Sequence, residues 1–138
     1  MTPNERLIIS LMPMLWTDSV ALCCSNLAAC KQWWIETFDC KAVKVPADWD
    51  CVLPSDVALT LPGGGGPTIL LSDAMEVQKA GYERSNAGAI IFCSKIEKAH
   101  EYLRGRGAAA GAIQDGGGTQ FFEIRDPEGN IVEICREP

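Results

Sequence analysis

The tetrapeptide CSNL at residues 24–27 returns as CSKI at residues 93–96, which is a shift of 69 residues in a chain of 138. Short apolar runs precede both copies, at 19–23 and 88–92, and such runs favour buried strands. A fixed internal shift of half the chain indicates two similar halves. We therefore expect each half to begin with a strand that runs into a polar turn.

Apolar residues follow both tetrapeptides at helical spacing, and their positions match under the same shift. They are Leu27, Cys30, Trp34 and Phe38 in the first half, and Ile96, Ala99 and Leu103 in the second. Asn26 is suited to cap the first helix, and glycines at 105 and 107 to end the second. A strand followed by a helix is thus predicted at the start of each half.

Three further strands are predicted after each helix, because glycine- and proline-rich turns separate short apolar runs. The runs are 41–46, 56–62 and 67–72 in the first half, and 108–114, 119–125 and 130–136 in the second. The predicted fold is α+β, with two βαβββ modules that form a curved mixed sheet around a cavity. A helix covers only one face of so small a sheet, which leaves the other face to enclose a small molecule.

Length predicts a single domain over residues 1–138. Within it we expect an N-terminal arm at 1–18, a first module at 19–72, a linker at 73–86 and a second module at 87–138. The arm contains the apolar run LIISLMPMLW, which is too short to span a bilayer.

The chain carries a net charge of −6 and seven cysteines. An acidic chain argues against nucleic acid or a membrane as a partner. The cysteines form no CxxC motif and no Cys/His cluster with the spacing of a zinc site. We therefore expect a cytoplasmic protein whose cysteines act mostly as small apolar residues.

The repeated units, the aromatic pair Trp33 and Trp34, and the closing sequence DPEGNIVEI at 126–134 resemble the vicinal oxygen chelate superfamily. This group contains glyoxalase I, extradiol dioxygenases, and fosfomycin- and bleomycin-resistance proteins. The resemblance runs from about residue 19 to residue 136. It implies the fold more strongly than any one activity, because the superfamily hosts many chemistries.

The resemblance also implies where a metal would bind. Ligands in the metal enzymes of the group come from the opening and closing strands of both halves, and these positions map onto Ser19, Leu71, Gly88 and Glu133. Only Glu133 is a good ligand, whereas a divalent metal needs three or more. We expect no metal and no other cofactor, although Cys23 and Cys135 leave a thiolate–carboxylate site open.

Glu133 lies inside the apolar run NIVEIC, where alternation puts it on one face with Ile131 and Cys135. The resemblance makes this the concave face. Glu133 then either contacts a ligand, as the one candidate for a catalytic residue, or is a hydrated relic paired with Arg125 or Arg136. Both interpretations stay open at this stage.

The expected ligand pocket is lined by small, aromatic and acidic side chains. The candidates are Ser19, Ala21, Cys23, Trp49, Gly88, Ile90, Phe122 and Glu133. Trp49, between Asp48 and Asp50, suits a planar or cationic guest, but it also suits a loop anchor. Phe121 alternates with Phe122, and the pattern does not decide which faces the cavity.

The leading hypothesis is a metal-free homodimer that binds a small organic molecule, as the bleomycin-binding branch does by sequestering an aromatic or cationic compound. A second hypothesis is a lyase, isomerase or dioxygenase that uses Glu133 with a metal or as an acid–base group. A third is a non-catalytic regulatory domain whose cavity has collapsed. Catalysis is therefore not expected unless Glu133 carries it.

Overall fold

The computed structural model describes residues 19–45, 52–63, 68–82 and 88–137, with the side chain of Ser19 left out. The predicted arm at 1–18, Trp49 with its two flanking carboxylates, and residues 64–66 of the glycine run lie outside the described residues. No helix in the described ranges is long and apolar enough to cross a membrane.

The first half forms one four-stranded sheet and one covering helix. Its elements are β1 (Ser19–Cys24), α1 (Leu27–Phe38), β2 (Lys41–Val43), β3 (Val57–Thr60) and β4 (Thr68–Asp73). A short helix, α2 (Ala74–Lys79), follows within the expected linker and buries Val77.

The second half repeats this order in a sheet of its own. Its elements are β5 (Ala89–Cys93), α3 (Ile96–Gly105), β6 (Gln114–Gly116), β7 (Thr119–Arg125) and β8 (Ile131–Arg136). The strand orders β1-β4-β3-β2 and β5-β8-β7-β6 correspond strand for strand. In each sheet the opening and closing strands pair in parallel and the other pairs are antiparallel. The two predicted βαβββ modules and the α+β fold are confirmed.

Helix α1 begins directly after Asn26, the residue predicted to cap it. The Asn26 side chain accepts a hydrogen bond of 3.1 Å from the backbone N–H of Ala29, which satisfies one of the free donors of the first turn. The helix ends at Asp39, whose φ of 56° is left-handed. Trp34 is fully buried, in agreement with its place on the apolar register.

The strand predicted at 108–114 is largely wrong, since only Gln114–Gly116 is extended and paired. Alanine and glycine are poor strand formers and supply little surface to pack. The segment is held instead by two hydrogen bonds at Gly111: its N–H donates to the Glu123 carbonyl at 2.9 Å, and its carbonyl lies 2.8 Å from His100 Nε2. His100 also packs edge-on against Phe122, as a structural residue of α3.

One hydrophobic core joins the helix-covered faces of both sheets. From the first half it takes Leu22, Trp34, Phe38, Leu59 and Leu71, and from the second Ile96, Leu103, Phe122, Ile124 and Ile134. One side of each helix packs against this core, and within the described residues the other face of the second sheet is partly exposed. This arrangement positions the candidate site.

Candidate ligand-binding face

The uncovered face of the second sheet, called here the open face, carries the side chains that alternate with the core. Its members are Ile90 and Phe92 on β5, Ile131, Glu133 and Cys135 on β8, and Phe121, Glu123 and Arg125 on β7. The residues between them are buried in the core: Val132 and Ile134 on β8, and Phe122 and Ile124 on β7. Side chains alternate between the two faces of a strand, so the members of the open face point away from the core.

Two carboxylates lie side by side in the middle of the open face. Strand register places Glu133 beside Ile90 on one side and beside Glu123 on the other. Cross-strand neighbours have Cβ atoms about 4.5–5.5 Å apart, so the two carboxylates share one small area. Both are partly exposed, and neither is paired with a cation within the described residues.

A row of apolar side chains lies next to the carboxylates. Phe92 is 61% exposed and Phe121 is half-buried, and both flank Cys135 in register. The ring of Phe121 lies over Gly116, where a Cβ atom would come within 2.9 Å of the ring. Glycine at this position therefore leaves room for the aromatic ring on the open face.

The basic residues nearby do not neutralise Glu133. The Arg125 guanidinium donates to the Gly129 carbonyl at 2.9 Å, and the Arg136 guanidinium donates to Gln120 Oε1 at 3.4 Å. The interpretation of Glu133 as a relic paired with either arginine is therefore not supported. The open face keeps a net negative centre between apolar side chains.

Three of the expected pocket residues come together on the second sheet. Gly88 directly precedes β5, and Ile90 and Glu133 are partners in the parallel register of β5 and β8. Ile90 is 58% exposed, which is unusual for an isoleucine. These three are the residues of the predicted site that lie together on the second sheet.

Of the other expected pocket residues, three lie on the first sheet and one is buried in the second. Ser19, Ala21 and Cys23 belong to β1, which is an edge strand of the first sheet and not part of the sheet that carries Glu133. Phe122 was wrongly assigned to the pocket: it is fully buried in the core, because its register partner Ile134 faces the helix. Phe121 occupies the open face instead.

The residues at the family's metal positions do not fit a metal. Gly88 has no side chain, and Leu71 pairs with Leu22 on the covered face, where both are buried. Ser19 offers only a hydroxyl, which is a poor metal ligand, so Glu133 and its neighbour Glu123 are the good ligands that remain. Two carboxylates fall short of the ligand count that a first-row metal needs.

Sequence reasoning missed Glu123 as a site residue. Alternation in TQFFEIR placed Glu123 and Phe121 on one face and Phe122 and Ile124 on the other, but it did not say which face was covered. The pairing of β7 with β8 shows which face is covered, since Ile124 pairs with Val132 and both are in the core. Pairing the β7 pattern with the β8 pattern would have identified Glu123.

An apolar cleft lies between the two halves, beside the open face. Its volume is about 520 Å³, and both Trp34 and the exposed Phe92 line it. The indole N–H of Trp34 is buried and has no hydrogen-bond partner among the described residues. A cleft of this size is within the range of small-molecule pockets, and Ile90 and Phe92 connect it with the carboxylates.

Comparison with protein-family models finds no match, and a search of curated proteins finds no similar sequence. Solved structures are similar in fold. TnmS3, an antibiotic binding protein from Streptomyces sp. CB03234, has a TM-score of 0.69 at 17% identity, covering 92% of this chain and 99% of its own.

Two further structures extend the comparison. A glyoxalase/bleomycin resistance protein/dioxygenase from Nocardioides has a TM-score of 0.68 at 16% identity, covering 96% of this chain and 92% of its own. Lactoylglutathione lyase from Agrobacterium tumefaciens has a TM-score of 0.67 at 19% identity, covering 90% and 94%. The chain has the vicinal oxygen chelate fold, as the sequence resemblance implied.

Proposed function

We propose that the protein binds and sequesters a small aromatic or cationic organic compound on the open face, without a metal. The observation that carries this proposal is the pairing of Glu133 with Glu123 between Ile90, Phe92 and Phe121. Two neighbouring carboxylates attract a positive charge, and exposed aromatic and aliphatic side chains stack on a flat apolar body. An aromatic cation satisfies both features at once.

The electrostatics of the free protein favour such a guest. Like charges directly opposite on neighbouring strands destabilise a sheet, so Glu123 and Glu133 repel each other when no cation is present. A bound cation removes this repulsion and gains an attraction from both groups. TnmS3 is an antibiotic binding protein of the same fold, which supports small-molecule binding as a use of this architecture.

We further propose that the pocket is completed in a homodimer. Ile90 and Phe92 are both more than half exposed on β5, which is an edge strand of its sheet. Exposed apolar patches on edge strands favour association. A partner chain could bring the β1 residues Ala21 and Cys23 of its first sheet opposite Glu133, since one chain does not hold them in the same sheet.

The ligand proposal is tested with the planar cation N-methylacridinium and its uncharged parent acridine, titrated by calorimetry. We expect the cation to bind more tightly than acridine. Glu133→Gln and Glu123→Gln should each weaken cation binding about fivefold, the effect of one partly exposed charge pair, and should leave acridine binding unchanged. Glu97→Gln, a change on the exposed side of α3, is the matched control.

Several outcomes would overturn this proposal. These are failure of both probes to bind, equal affinity for the two, or cation binding that Glu133→Gln does not change. Stoichiometric metal in the purified protein that is lost in Glu133→Gln would show a metal site at the open face. Neither glutamine variant should unfold more easily than the parent protein, because each removes a like-charge contact.

The dimer proposal is tested by sedimentation of the chain and of Phe92→Lys. We expect twice the 14.9 kDa chain mass for the parent protein and a shift toward the monomer for Phe92→Lys, because a charge would enter an apolar contact. Glu101→Lys places the same charge on the exposed surface of α3 and should remain dimeric. A parent protein that is monomeric at micromolar concentrations would contradict the proposal.

A further inference from the structure

Two cysteines and a glutamate meet where the two halves join, away from the open face. The sulfur atoms of Cys24 and Cys30 and a carboxylate oxygen of Glu128 all lie within 4.8 Å of one another. Cys24 ends β1, Cys30 lies one turn into α1, and Glu128 comes from the turn between β7 and β8. Within the described ranges this is the one group of three side chains with metal-ligating atoms so close together.

The turn sequence DPEGN directs Glu128 toward the first half. Asp126 is buried, and its Oδ1 accepts hydrogen bonds from the backbone N–H groups of Glu128 at 3.0 Å and Asn130 at 2.8 Å. Glu128 then crosses to α1, where it accepts from the Ser25 hydroxyl at 2.7 Å and the Asn26 backbone N–H at 3.0 Å. The carboxylate is therefore held in place before any ion binds.

The ligand geometry suits a tetrahedral thiophilic ion. Zinc–sulfur bonds of about 2.3 Å and zinc–oxygen bonds of about 2.0–2.2 Å place tetrahedral ligand atoms roughly 3.6–3.8 Å apart. The Cys30 sulfur lies 3.6 Å from Glu128 Oε1. Cys24 and Cys30 are both 1% exposed, whereas Glu128 is partly exposed, so an ion would enter from the carboxylate side and keep a water as fourth ligand.

We propose that Cys24, Cys30 and Glu128 bind a zinc-like divalent cation that links the two halves of the chain. This site is separate from the open face and does not depend on the proposed ligand. Sequence spacing gave no sign of it, because Glu128 is about a hundred residues from both cysteines. The Cys/His patterns that mark zinc sites are local by comparison.

The charges around the thiols favour a cation. Burial, with smaller contributions from the negative charges of Glu128 and Asp126, raises the pKa of Cys30 to about 11; burial, the contact to Cys30 and the same charges raise the pKa of Cys24. Carboxylates that oppose thiolate formation stabilise a positive ion at the same place. The protons must leave when the metal binds, because the thiolate is the ligand.

Proton release gives a test on the unmodified protein. Both thiols are protonated at neutral pH, so each bound ion should displace about two protons, and affinity should rise about a hundredfold per pH unit. Calorimetry of Zn²⁺ in buffers of different ionisation enthalpy measures this number between pH 6 and 8, under reducing conditions. Release of no protons, or no saturable binding, would overturn the proposal.

Co²⁺ identifies the ligands, because thiolate-to-cobalt charge transfer absorbs in the near ultraviolet. We expect one Co²⁺ per chain with this absorption, its loss in Cys24→Ser and Cys30→Ser, and weaker binding in Glu128→Gln. Cys40→Ser is the matched control, since Cys40 is also buried but lies outside the cluster. An absorption that survives both Cys24→Ser and Cys30→Ser, or that Cys40→Ser removes, would overturn the site.

Discussion

At the scale of single residues, Trp34 combines close aromatic packing with a buried indole N–H that lacks a hydrogen-bond partner among the described residues. Its ring is fully buried, stacks on Phe38 with centroids 5.0 Å apart, and meets Trp33 edge-on at 5.2 Å. Its indole N–H has no hydrogen-bond partner in the described part of the chain, and an unpaired buried donor costs free energy in an apolar interior. Trp34 also lines the cleft beside β5.

The sequence pattern alone predicted for some residues, but not for others, whether the side chain lies in the core. The helical register predicted that Trp34 is in the core, and alternation correctly grouped Glu133 with Cys135. Alternation could not choose between Phe121 and Phe122, since both are apolar and a shift of one residue exchanges the two faces. Only the pairing of β7 with β8 settles that choice, and it puts Phe122 beside Ile134 in the core.

At the scale of elements, the internal repeat provides two helix starts with different caps. Asn26 and Lys95 have closely similar backbone angles, with φ of −128° and −129° and ψ of 89° and 104°. Asn26 caps α1 with its side chain, whereas Lys95 makes no side-chain hydrogen bond at the start of α3. The second helix therefore begins with an unused capping position.

Exchanging these residues should change stability in opposite directions. Lys95→Asn should stabilise the protein and Asn26→Ala should destabilise it, each by about 1 kcal/mol, because one helix gains a cap and the other loses one. Urea unfolding followed by circular dichroism measures both. Lys98→Asn, inside α3, is the control and should be neutral or destabilising; an equal gain from Lys98→Asn and Lys95→Asn would exclude capping as the cause.

Elements were predicted well where the pattern was regular. Helix α1 has the expected span, and of the strands in the described ranges only β6 fails to overlap its predicted run by most of its length. The strand predicted at 108–114 was wrong because its alanines fit the apolar pattern of a strand but lack the side-chain bulk with which a strand packs against its neighbours. Its backbone is held by His100 and the Glu123 carbonyl, which are contacts that no local pattern contains.

At the scale of the whole molecule, the sequence repeat predicts the two modules but not how they pack together. The shift of 69 residues carries no information about which faces meet. In the structure the helix-covered faces share one core, and within the described residues a carboxylate joins the halves at each end of α1. Glu128 binds the N-terminal end, and Asp39 at the C-terminal end accepts from the Tyr102 hydroxyl at 2.5 Å and from Arg106 at 2.7 Å.

Both contacts depend on an ionised carboxylate. The Asn26 backbone N–H and the Ser25 hydroxyl lower the pKa of Glu128 below its ordinary 4.5. The Tyr102 hydroxyl, followed by the charge of Arg106, lowers the pKa of Asp39 below its ordinary 3.8. A carboxylate whose pKa is lower in the folded state contributes stability that is complete above the unfolded pKa and is lost as the pH falls through the folded value.

Acid should therefore weaken the junction between the halves. We expect the urea midpoint, measured in the absence of metal, to be constant from pH 7 to about 5 and to fall below pH 4.5, as these two groups take up protons. Glu128→Gln should lower the midpoint at neutral pH and flatten its decline in acid, because one of the two titrations is gone. Glu97→Gln, on exposed α3, should follow the parent curve, and a Glu128→Gln curve parallel to it would show that Glu128 does not contribute to the acid transition.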